Sequence, residues 1–135
     1  AMMDVSDSLV RDCGRIALAS GVVIDIDDPD DDCAALAVDR AQLEGVAALV
    51  PGTRGAARGA EDGARLDPRG TARNWVLTGG EDHGVLATVP ADAVRSLPGG
   101  ARVIGRVRRA GGEGPGVLVG TRPWSGARGW DHFRA

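Results

Sequence analysis

The side chains able to do chemistry fall into three acidic stretches and an aromatic tail. Near the start, the stretch M-M-D-V-S-D-S-L sets Asp4 and Asp7 around Ser6, directly ahead of an amphipathic run. Carboxylates at such a place either complement the positive end of a helix dipole or hold a hard divalent cation. A longer acid run follows, Asp25, Asp27, Asp28, Asp30, Asp31 and Asp32. An EF-hand loop counted from Asp25 needs Gly at its sixth position and Glu at its twelfth; Asp30 and Leu36 stand there, so the run reads as a solvated strand end and helix cap. The turn G-G-E-D-H-G puts Glu81 and Asp82 straight after two glycines, as a ligand-facing loop does, although ordinary glycine turns also carry acids. His83 and His132 lack the spacing of a zinc site. In the tail, Trp130 and Phe133 suit either a hydrophobic clasp or a surface on which a ring can stack.

Composition narrows what these groups can serve. With 135 residues the chain is expected to be a single domain with a real core, thinned by 21 glycines. The net charge of −3 hides an asymmetry: residues 1–32 are strongly acidic, and most of the arginines lie beyond them. An acidic end of this kind suits divalent cations better than nucleic acid. Every basic side chain is Arg, which excludes a P-loop lysine and a Schiff-base lysine. Phosphate, if bound, falls to metal ions, arginine and backbone amides. No apolar run reaches the length of a membrane span and no signal-peptide pattern opens the sequence, so the expectation is a cytoplasmic protein without membrane or nucleic-acid partners. Cys13 and Cys33 are expected as thiols.

The elements that must position these residues follow from periodicity. Leu9, Cys13 and Ile16 recur on one helical face, which predicts a helix over about 6–19 capped by Asp4, Ser6 and Asp7 and stopped at Ser20-Gly21. Val22 to Asp27 alternate as a strand, and a second helix is predicted from about 31 to 49. Residues 51–73, rich in Gly, Ala and Arg without an apolar period, read as a flexible insertion. A strand near 84–89, a short helix over 90–97, and strands over 101–107 and 116–120 complete an α+β domain, a mixed sheet of about four to six strands with helices packed on it.

Taken together, M-M-D-V-S-D-S-L, then G-G-E-D-H-G-V-L-A-T-V-P, then V-I-G-R-V and a closing G-W-D-H-F resemble the C-terminal half of thiamine-monophosphate kinase. That family belongs to a superfamily with aminoimidazole ribonucleotide synthetase. Ser8 stands where the family shows Gly, and His83-Gly84 where it shows Tyr-Glu. The resemblance implies phosphorylation of thiamine monophosphate by ATP, with Mg²⁺, giving thiamine diphosphate. It also implies that Asp4 and Asp7 bind the metal, that Ser6 touches ATP, and that Glu81 and Trp130 contact the thiamine substrate. On this view the helix start turns free N–H groups to phosphate oxygens while Asp7 holds the cation. The family's N-terminal half, implied to carry other magnesium ligands and much of a homodimer interface, has no counterpart here. The chain is thus expected to supply half of an active site and to be inactive alone. The alternatives are another ATP-dependent enzyme of the superfamily, or a non-catalytic binding module whose Arg-rich part meets a partner.

Overall fold

The helix predicted from Leu9, Cys13 and Ile16 forms as α1 (Leu9–Ser20), in a computed structural model that describes residues 1–50, 67–80 and 84–126. Its apolar stripe, Leu9, Val10, Cys13, Ile16 and Ala17, is buried. The N-cap is Ser8, whose Oγ accepts from the Arg11 N–H, so the predicted caps Asp4, Ser6 and Asp7 all lie before the helix rather than on it. At the other end Gly21 takes a left-handed conformation (φ 65°) and donates to the carbonyls of Ala17 and Leu18, a turn that a side chain would strain.

Two sheets frame α1. A two-stranded antiparallel pair joins β1 (Met2–Asp4) to β3 (Val85–Ala87), with Asp4 opposite Val85. The larger sheet is mixed, in the order β4 (Gly105–Arg109), β2 (Val22–Ile26), β5 (Gly116–Val119), β6 (Arg122–Pro123). Strand β2 runs antiparallel to β4 and parallel to β5. Helix α1 packs on β2 and β5, and Ile24, Ile26 and Val119 close the core with its stripe. The α+β expectation holds.

The second and third helices depart from the predicted bounds for local reasons. Helix α2 (Ala37–Leu49) starts six residues late because Asp28 and Asp31 accept from the N–H groups of Asp30 and Cys33, bending residues 28–36 into turns. Helix α3 (Pro68–Thr78) overturns the reading of 68–73 as flexible: Asp67 caps it by accepting from the Gly70 N–H at 2.6 Å, and Pro68 opens it. Residues 51–66 of the predicted insertion lie outside the described residues.

Three arginines turn the acid run from a solvated end into a clamp. Arg73 of α3 grips Asp28 with both arms, at 2.7 and 2.9 Å, and lies 5.6 Å from the Trp124 ring centre. Arg69 holds Asp30 through its side chain and carbonyl. Arg40 of α2 is buried; it donates to the Pro29 carbonyl at 2.9 Å, to Asp32 at 3.0 Å and to Glu44 at 2.5 Å. The acid run is thereby the point at which α2 and α3 are tied to the end of β2.

Arg40→Ala is expected to cost about 2 kcal/mol, because it strips a buried donor from several acceptors. Arg102→Ala, at a half-exposed pair with Asp39, should cost less than about 1 kcal/mol; denaturant unfolding of both variants checks the ranking. The Arg73 hydrogen bonds, aided by the N–H of Asp30 and the charges of Arg73 and Arg122, hold the Asp28 carboxyl below its ordinary value against the opposing effect of partial burial. That contribution to stability is complete above the unfolded value of about 4 and is lost as pH falls through the lower folded value. Acid titration of the melting temperature should therefore show a shallower fall in Arg73→Gln than in the parent below about pH 4.

Candidate functional site

At the start of α1 a carboxylate that the sequence analysis passed over organises the acidic loop. Asp12 is fully buried, and its Oδ2 accepts from the N–H groups of Ser6 at 3.1 Å, Asp7 at 3.2 Å and Ser8 at 3.3 Å. Three converging amides hold the loop in a single turn around one oxygen. The other oxygen, Oδ1, accepts from Arg15 at 2.6 Å. A second arm of Arg15 reaches the Asp7 carboxylate, and the Arg11 Nε stands 3.7 Å from the same oxygen. The three loop amides expected to meet phosphate oxygens are therefore turned inward, a correction imposed by Asp12. The signal was present in the sequence: an acid three residues after Leu9 and one before Cys13, on an otherwise apolar face, calls for a buried partner.

The loop's own side chains point to other surroundings. Asp4, at the end of β1, and Ser6 are exposed, while the Asp7 side chain is 18% exposed. Ser8, standing where the resembling family shows Gly, has φ 175°, an extended conformation open to any residue, and its side chain caps the helix.

The structure brings the two principal motifs together. A Cβ on Gly80 would lie 2.9 Å from the Asp7 carbonyl oxygen and 3.0 Å from that of Ser6, so only glycine lets the G-G turn rest on the acidic loop. Beyond the turn, the Gly84 carbonyl accepts from the Val5 N–H at 2.9 Å. Both neighbours of 81–83 are thus fixed against Asp4–Asp7. Glu81 and Trp130, the two predicted substrate residues, lie outside the described residues, as do Phe133 and both histidines.

Among the described residues no three potential ligands come together as a metal cage. Asp4, at the end of β1, and Asp7, three residues on, carry hard carboxylate oxygens, and one or two carboxylates together with substrate phosphates and water are the donor set Mg²⁺ commonly takes.

On the other side of α1, a cleft of about 550 Å³ opens between β3 and β4, floored by Cys13, Ile24 and Ile26. Burial, with the Asp12 charge beside it, pushes the Cys13 thiol up to about 12, so it is protonated at neutral pH and acts as a core side chain. Cys33 is exposed, and both are free thiols.

A mixed-sheet α+β domain that presents an acidic loop and a glycine turn at one helix start is the class defined here. Its relatives are kinases. The chain is 42% identical over 134 residues to the thiamine-monophosphate kinase of Mycobacterium tuberculosis, and 33% identical over 133 residues to that of Corynebacterium glutamicum. Each comparison covers 98% of this chain and 31% of the relative, so the chain spans about a third of the length of the proteins it matches. No family model and no solved structure matches it. The resemblance read from the motifs thus extends along nearly the whole sequence.

If Asp12 is what shapes the loop, Asp12→Ala leaves three amides and Arg15 without their acceptor. It should cost about 3 kcal/mol or more, whereas Asp7→Ala, which removes a partly exposed ion pair, should cost less, about 1 kcal/mol. Thermal or denaturant unfolding of the two variants reads the difference directly.

Proposed function

We propose that this chain supplies the acidic-loop half of the active site of a thiamine-monophosphate kinase. The reading rests on the similarity to these kinases along 98% of the chain, and the contact that fits it best is Gly80 seated on Ser6 and Asp7. In the reaction a phosphate oxygen of thiamine monophosphate attacks the γ-phosphorus of ATP in line. The bond from that phosphorus to the β-bridging oxygen breaks, and thiamine diphosphate and ADP result. Such a transfer passes through a loose transition state, so positioning and charge neutralisation matter more than covalent participation.

Each residue then has a defined task. Asp7, with Asp4, offers the carboxylate oxygens that hold Mg²⁺, and Asp12 fixes the turn that presents them. Ser6, exposed in the loop, is in this proposal the donor to a nucleotide phosphate oxygen. Glu81 accepts from the amine of the aminopyrimidine, and Trp130 stacks on a ring of the thiamine or faces its thiazolium charge. When bound, Mg²⁺ neutralises charge on the polyphosphate. The remaining ligands, and a homodimer interface, belong in this proposal to the part of the kinase sequence that this chain does not match, and the setting is the cytoplasm.

The proposal predicts no measurable transfer from ATP by the chain alone, and transfer when it is joined to the unmatched two thirds of the Mycobacterium tuberculosis kinase. In that joined protein Asp7→Asn should leave the melting temperature nearly unchanged and lower turnover by about a hundredfold or more. Added Mg²⁺ should restore part of the loss. An Asn variant with full turnover and an unchanged Mg²⁺ requirement would refute the metal role.

A further inference from the structure

One oxygen of the Asp7 carboxylate, Oδ2, already faces cations of its own chain. Arg15 bridges it to Asp12, and Arg11 stands close to the same oxygen. A divalent cation that binds this oxygen asks for the lone pairs the guanidinium uses. Yet the two ends of the bridge are unequal. Asp12 is fully buried and anchored by three amides, whereas the Asp7 side chain is 18% exposed and that of Arg15 44%. Because both arms belong to one rigid plane, parting them requires the Asp7 carboxylate to turn away from Nη2 while Nη1 stays on Asp12.

From this geometry we propose that Arg15 is the internal counter-ion of the metal-binding carboxylate. It holds Asp7 in the cation-free protein and yields it when a divalent cation arrives. Still anchored on Asp12, it then offers the released N–H groups to a nucleotide phosphate. The inference rests on the reading of Asp7 as a metal ligand. It also gives a phosphate-binding cation to a chain that has no lysine. Arg is suited to the exchange because its planar fork can keep one carboxylate while its other edge changes partner. Arg15 is a positioning residue in the first state and a phosphate ligand in the second.

Two binding measurements on the full chain joined as above distinguish this from a plain ion pair. Mn²⁺ affinity without nucleotide is read by electron paramagnetic resonance of the free ion, and affinity for magnesium-bound ATP by calorimetry. In Arg15→Gln the competitor for Asp7 is gone but so is the phosphate donor. Mn²⁺ should bind about two- to fivefold tighter, the scale of a surface ion pair, while the nucleotide should bind more weakly. Opposite signs are the signature. A purely structural role moves both affinities down or neither, and either result overturns the proposal. Arg15→Lys, which keeps a charge on Asp12 but cannot span two carboxylates, should tighten Mn²⁺ binding as well and serves if the Gln variant folds poorly. Asp7→Asn separates the layers. If it binds Mn²⁺ as well as the parent, the metal role of Asp7 fails; if it loses Mn²⁺ while Arg15→Gln gains none, only the counter-ion role fails.

Discussion

One buried carboxylate governs the functional end of this domain. Asp12 lies within the core stripe of α1, where an ionised group is costly unless it is fully paired. The loop Ser6–Ser8 provides that pairing with three backbone amides, and Arg15 provides the charge. The dependence is mutual. The loop adopts its turn because the carboxylate needs donors, and the carboxylate is tolerated because the loop supplies them. A change at any one of these groups leaves the others with unmet hydrogen bonds inside the protein, where water is not at hand to replace them.

From that constraint the arrangement of the motifs follows. With the loop fixed, the carbonyls of Ser6 and Asp7 present a flat surface that only glycine at position 80 can approach. The pairing of β1 with β3 then carries the chain past the same point from the other side. Two sequence motifs more than seventy residues apart become one surface through a buried carboxylate, a close glycine contact and a short ladder.

How much of this the sequence discloses depends on how local the cause is. The stripe of Leu9, Cys13 and Ile16, the alternation of β2 and the glycine at position 21 are short-range patterns, and they gave α1, β2 and the end of the helix nearly where they lie. The start of α2 was missed because side-chain turns at Asp28 and Asp31 outcompeted the helix, a contest between two local options that periodicity does not weigh. The start of α3 was missed although Asp67-Pro68 is a sound opening signal, because the residues after it lack a regular apolar face. The clamp of Arg40, Arg69 and Arg73 on the acid run joins residues brought together only by the packing of α2 on α3, so spacing along the chain gives no hint of it. At the site, Asp4, Ser6 and Asp7 were legible as motif residues. The inward turn of their amides was not, since it depends on where the Asp12 side chain points.

The arginine clamp also decides which part of the chain is free to vary in length. Helix α3 is located by Asp28 and Asp30 at the end of β2, not by the segment that joins it to α2. Where a helix is held by cross-links of this kind, a change of length in the chain between the helices acts through closure entropy. Lengthening it adds only ring-closure entropy, about 0.6 kcal/mol for each doubling. An insertion between α2 and α3 is therefore expected to leave in place the glycine turn that α3 delivers to the acidic loop.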